Sequence, residues 1–229
     1  MAETLRIAIV GAESTGKSTL ARALADALAE ATGLACTAVP EWLREWCERE
    51  GRTPRPDEQA AIAAEQHVRI EAAAAGHAIV VADTTALMTA VYSRLLFDDR
   101  SLEAMAMAHH RTMDLSLLTA LDLPWQADGH QRDGPQVQQP VDSAVRELLI
   151  GHGLPWALVA GRGPDRLQAA LDAVAPQVRR LPAPRPGLFT RLDARNAGPA
   201  GRAWRCLDCD DPDCEHGLRR LAAPASKSG

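Results

Sequence analysis

Several absences narrow what this 229-residue chain can be. No apolar run approaches the 18 or more residues that a membrane-spanning helix requires. The N-terminus lacks a signal-peptide pattern, because its short apolar stretch leads straight into a glycine loop. There is no basic excess: 25 Lys and Arg against 30 Asp and Glu leave a net charge of −5, so nucleic acid is not the default partner. No internal repeat is visible. Only one tyrosine is present. Without an export signal the expected compartment is the cytoplasm. There the five cysteines should be reduced, and a cluster of them points to a metal before a disulfide.

What is present starts at Gly11. The stretch from Gly11 through Glu13, Ser14, Thr15 and Gly16 to Lys17, Ser18 and Thr19 follows an apolar run and opens an Ala/Leu-rich segment. A buried strand, a glycine loop and a helix is the context that makes a P-loop pattern a site. Gly11 permits a sharp exit from the strand, and Gly16 lets backbone approach a phosphate. Loop and helix N–H groups would point at the anion. Lys17 would reach the β- and γ-phosphates, and the Ser18 hydroxyl would ligate magnesium. These residues predict a nucleoside triphosphate site.

Strand-length apolar runs lie at Leu5–Val10, Cys36–Val39, 78–82, Leu115–Thr119 and Trp156–Val159, and helical patterns separate them. That alternation predicts an α/β fold of the P-loop NTPase type, a parallel five-stranded sheet flanked by helices. Hydrophobic content of 46% suffices for a core of that size. A Pro-rich break at 182–187 divides the chain into an expected kinase-like domain, 1–181, and a small Cys-rich C-terminal appendage, 182–229.

Chemistry-bearing residues are expected where strands end, since doubly wound sheets bind ligands there. Glu41 follows strand two. Either it heads a charged helix with Trp42 and Trp46 in the core, or it is an acid/base or hydroxyl ligand, with a tryptophan as stacking wall and Arg44 on the same side. Asp83 ends strand three, in the position that holds magnesium directly or through water; it could instead cap the next helix. That helix, 86–97, carries Tyr92, a further candidate for the acceptor side. His67, alone in a helix, reads as structural. The polar loop at 121–132 contains Trp125, Asp128 and Arg132, and lies where P-loop kinases carry a lid that supplies a cation to developing phosphoryl charge. Arg162, in the turn after strand five, would border the adenine.

In the appendage Cys206, Cys209, Cys214 and His216 supply three thiolates and an imidazole within eleven residues. Zinc favours such a set in closed structural sites. The expected cofactors are therefore ATP, Mg2+ and a structural Zn2+.

Residues 11–19, 40–48, 83–85 with 90–97, 114–128 with Gly129 and Arg132, and 154–167 together resemble the ribosylnicotinamide kinase domain of NadR-type proteins, a group akin to AAA-type ATPases. The resemblance implies magnesium-dependent transfer of the ATP γ-phosphate to the 5′-hydroxyl of nicotinamide riboside. The catalytic residues would then be Lys17, Glu41, Asp83 and Arg132. The acceptor would lie against Trp42, Arg44, Tyr92, Trp125 and Asp128. Two departures stand out. No room for the adenylyltransferase domain of NadR precedes Leu5, and the cysteine tail is foreign to the pattern. The tail supports a second reading, an ATP-binding regulator whose nucleotide state controls the tail's contact with a protein or nucleic acid.

Overall fold

Alternate residues of a parallel strand face opposite layers of helices, so strands covered on both faces become continuous apolar runs. The five runs of this sequence do form strands in the computed structural model, which describes residues 4–126 and 134–181; the three inner ones are almost wholly buried and the two edge ones only partly so. They are β1 (Leu5–Val10), β2 (Cys36–Val39), β3 (Ile79–Asp83), β4 (Leu115–Thr119) and β5 (Trp156–Val159). Their spatial order is β2-β3-β1-β4-β5, all parallel. The central strand β1 runs between β3 and β4, so the loop leaving Val10 emerges between the ends of two neighbours.

The helices are α1 (Lys17–Thr32), α2 (Trp42–Glu50), α3 (Gln59–Ala74), α4 (Ala86–Phe97), α5 (Glu103–His110), α6 (Gln138–Gly151) and α7 (Pro164–Val178). Helix α1 covers β2 and β3 and packs on α7, while α4 packs against α3, α5 and α6. Leu20, Leu24 and Leu28, spaced by four, bury one stripe of α1. Each fully buried leucine of this kind contributes about 2 kcal/mol by removal from water. Gly16 and Gly33 bracket α1 with positive φ, 77° and 69°, the conformation in which glycine carries no Cβ penalty.

Register fixes which side chains meet at the C-terminal edge of the sheet. Ile9 pairs with Asp83, Val39 with Ala82, and Val10 with Leu118. Glu41, two residues beyond β2, and Asp83, the last of β3, thus end up on one edge beside the β1 exit. The third strand begins one residue later than its apolar run suggests and takes in Asp83. Among the described residues no helix is long and apolar enough to cross a membrane. The appendage lies outside the described residues.

Candidate active site

The loop leaving β1 turns at Gly11, with φ 142°, where a side chain would run into Thr119. Gly16 closes the loop, and a Cβ there would sit 3.2 Å from Leu123. Between them Ser14 takes a left-handed φ of 58°. The loop is held by its own side chains. Thr15 Oγ1 donates to the Ala12 carbonyl at 2.7 Å and lies 2.7 Å from Thr119 Oγ1. Lys17 Nζ donates to the same carbonyl at 2.8 Å, folding its ammonium over the loop.

A cleft of about 650 Å³ opens over this loop. Its lining includes Ser14 to Thr19, Arg44 from α2, Leu123, Pro124 and Gln126 after β4, and Gly163, Arg166 and Leu167 at the start of α7. Backbone N–H groups at the N-terminus of α1, Lys17 and three arginines, Arg22, Arg44 and Arg166, make it an anion site with an apolar flank.

Two carboxylates lie almost fully buried beside it. Glu41 is 8% exposed and Asp83 4%. Burial pushes the Glu41 carboxyl above its ordinary range; Lys17 opposes that shift, Asp83 adds to it, Arg44 opposes and Glu13 adds. Arg44 Nε is 3.8 Å from Glu41 Oε2. Asp83 Oδ1 is buried without a hydrogen-bond partner among the described residues. A buried carboxylate oxygen left open at the same sheet edge as the phosphate loop fits the chemistry of a magnesium ion that would take its remaining ligands from phosphate and water. Among the described residues no three His, Cys, Asp or Glu side chains converge on a metal site.

The junctions that carry these acids are pinned by Gln66, 3% exposed in α3. Its Oε1 accepts from the Trp42 backbone at 2.7 Å, and its Nε2 donates to the carbonyls of Pro40 (3.3 Å) and Thr84 (3.4 Å). Thr84 has φ 70°, an outlier for a β-branched residue, and its N–H is fixed to the Ile9 carbonyl at 3.0 Å. Strain of this kind persists where surrounding bonds over-determine it, commonly at functional sites.

The candidates read from sequence separate into groups. Gly11, Glu13, Ser14, Thr15, Gly16, Lys17, Ser18 and Thr19 form the loop and helix start; Arg44 joins the cleft, with Glu41 and Asp83 beside it. Arg162 borders the cleft through its neighbour Gly163 and donates to the Asp122 carbonyl at 3.2 Å. Trp42 is overlain by Arg69, whose Cζ is 3.8 Å from the ring centroid, and Arg69 is held by Glu45 and Glu65. Trp42 and Tyr92 pack against the cluster of Leu43, Trp46, Cys47 and Ile62, away from the cleft lining. Trp125 lies half-buried between two cleft residues, Pro124 and Gln126. Asp128, Arg132, Cys206, Cys209, Cys214 and His216 lie outside the described residues. Sequence reading missed Thr119, Gln66, Gln138 and Arg166, each of which bonds backbone near the site. Gln138 Nε2 donates to the Glu13 carbonyl at 2.7 Å.

Solved structures share the architecture. NadR protein in complex with NR superposes with a TM-score of 0.63 at 22% identity, covering 80% of this chain and 53% of that one. NadR in complex with NAD and AMP-PNP gives 0.60 at 22%, covering 77% and 50%. Thymidylate kinase from Ehrlichia chaffeensis gives 0.52 at 12%, covering 76% and 98%. The chain thus spans about half the length of the NadR structures, and the three likenesses carry the fold. No curated protein matches the chain. Residues 6–166 match the AAA domain family, and the chain belongs to it.

Proposed function

We propose that this protein is an ATP-dependent small-molecule kinase that transfers the γ-phosphate to a hydroxyl of a nucleoside-like acceptor, with nicotinamide riboside the first candidate. The observation that carries the reading is the pair of buried carboxylates, Glu41 and Asp83, on the sheet edge beside Lys17. Binding and release of a nucleotide need no second acid beside the metal ligand. Phosphoryl transfer does, because the acceptor hydroxyl must be oriented and its proton accepted.

Within this reading Lys17 exchanges the Ala12 carbonyl for phosphate oxygens. Ser18 and Asp83 would hold magnesium, which when bound would neutralise charge on the transferring group. Glu41 orients the acceptor hydroxyl and takes its proton. A carboxyl with a raised pKa is a better base near neutral pH than an ordinary one. Arg44 balances Glu41 and faces the cleft, and Arg162 borders the adenine. Arg132 supplies the further cation, with Trp125 and Asp128 on the acceptor side, as do Trp42 and Tyr92 if α2 shifts to admit a ring. NadR in complex with NR supports nicotinamide riboside as the acceptor to try first. The setting is cytoplasmic.

The test is coupled ADP release with a panel of nucleosides in the presence of Mg2+. Release that depends on nicotinamide riboside or another nucleoside is the expected result. ATP binding without acceptor-dependent release across the panel would replace the kinase with the ATP-binding regulator. For the appendage we propose one structural zinc on Cys206, Cys209, Cys214 and His216, contacting a protein partner. Elemental analysis after dialysis should find about one zinc per chain, lost in the C206S/C209S variant. Metal-free protein purified without chelator would end that proposal.

A further inference from the structure

A P-loop can aim its N–H groups at an anion only if its carbonyls turn the other way, into the protein. There each needs a donor, because an unpaired buried carbonyl is costly. In this chain the donors are distributed over several elements. Thr119 Oγ1 donates to Val10 at 3.2 Å, Thr15 Oγ1 to Ala12 at 2.7 Å, and Gln138 Nε2 to Glu13 at 2.7 Å. The Thr15 carbonyl receives Arg166 Nη1 at 2.8 Å.

Arg166 differs from the rest. It is 4% exposed, and one guanidinium serves several backbone segments at once. Besides Thr15, its Nε donates to the Gly161 carbonyl at 2.8 Å, and Nη2 reaches the Ala120 carbonyl at 3.5 Å and the Asp122 carboxylate. The other oxygen of Asp122 accepts the Gly161 N–H at 2.6 Å. One side chain therefore joins the phosphate loop, the exit of β4 and the turn from β5 into α7, three segments that line the cleft.

We propose that Arg166, anchored by Asp122, is the positioning residue of the nucleotide site: it sets the P-loop backbone for phosphate and ties it to the β5–α7 turn that borders the base. The inference rests on the reading of this loop as a nucleoside triphosphate site. A buried ion pair is weak ground for stability, since an apolar residue of equal volume often serves as well or better. What an apolar residue cannot do is donate to three carbonyls and a carboxylate in one plane. Lysine cannot do so either, having a point charge where arginine has a rigid fork. Removing the guanidinium would leave those acceptors unpaired and cost stability, so the positioning role is read from affinity in variants that still fold.

The experiment measures the Kd of AMP-PNP with Mg2+ by calorimetry for the wild type, R166K, R166M and D122N, well below each melting midpoint so that all are folded. R166M and R166K are expected to bind at least about tenfold more weakly, a loss of about 1.4 kcal/mol. Lysine, which keeps the charge opposite Asp122, should recover part of the melting temperature lost in R166M but not the affinity. D122N should weaken binding by a smaller factor, through the loss of the anchor. Folded R166K and D122N that both bind AMP-PNP within about twofold of wild type would overturn the proposal, and these two carry the test if R166M does not fold. A wild type that fails to bind AMP-PNP at all would instead overturn the nucleotide reading beneath it.

Discussion

At the scale of residues, the site sets polar groups against their own solvation. Lys17 donates to the Ala12 carbonyl and, under the proposed function, would exchange that bond for phosphate oxygens. K17A is therefore expected to lose nearly all turnover, with a melting temperature within a few degrees of wild type because no core packing changes; turnover within a few-fold of wild type would give the loop another role. Glu41 is a sharper case. A carboxyl whose folded pKa is raised above its unfolded value favours folding while protonated, below the unfolded pKa near 4.5, and opposes it as pH rises through the folded pKa. At neutral pH the ionised group is thus a burden on the fold. E41Q is expected to melt higher than wild type at neutral pH while kcat falls and ATP binding persists. The wild-type rate should rise with pH through an acid limb above the ordinary carboxylate range. A lower melting temperature with unchanged kcat in E41Q would contradict both assignments. D83N should weaken turnover and the response to magnesium together. Lys17, Glu41 and Asp83 were legible because a motif or a strand end marks them. Gln66, Gln138 and Arg166 were not, because each serves a carbonyl distant in sequence, and such a bond leaves no spacing to read.

At the scale of elements, the strands were legible because the buried inner strands β1, β3 and β4 are written as predominantly apolar runs, while the part-buried edge strands β2 and β5 keep short apolar segments between helical patterns. Helices α5 and α6 left weaker signals. The first spans only eight residues, and the second contains Pro140 in its first turn. A proline there reads as a breaker, yet the first-turn N–H groups have no intrahelical acceptor, so nothing is lost. His110 at the end of α5 shows how such elements are joined. It is 1% exposed, with Nδ1 2.7 Å from Thr85 Oγ1 and Nε2 2.7 Å from Ser116 Oγ. Thr85 in turn caps α4 by accepting from the Leu87 N–H. Burial lowers the His110 pKa from 6.5 to about 4. A histidine with a depressed folded pKa contributes stability that is full above the unfolded pKa and is lost as pH falls from about 6.5 to about 4. The loss amounts to roughly 3 kcal/mol over that window. His109, lowered by burial and by its stacking partner His67, pulls in the same direction. Urea unfolding of the wild type at successive pH values should show this slope, and H110Q, less stable at neutral pH, should show a shallower one. An equal slope in the variant would assign the acid sensitivity elsewhere.

At the scale of the whole molecule, the core of the described chain is drawn from Leu5 to Val178, and residues of that same stretch brace the phosphate loop. Among the described residues, sheet, covering helices and phosphate loop brace one another, and under the zinc proposal the short cysteine appendage would draw its folding energy from the metal. A chain ended after Leu181 is accordingly expected to unfold in one cooperative transition and to keep nucleotide binding. Ligand that binds only the folded state stabilises it by about 2.7 kcal/mol at a hundredfold excess over Kd. For a unit of this size that raises the melting midpoint by roughly 5–10 °C. Differential scanning fluorimetry with AMP-PNP and Mg2+ checks this on the full chain, the shortened chain and K17A in parallel. The expected pattern is equal upward shifts for the first two and little or none for K17A. A shortened chain that melts without cooperativity, or that folds but loses the shift, would make the appendage part of the nucleotide-binding unit and move the boundary of that unit beyond residue 181.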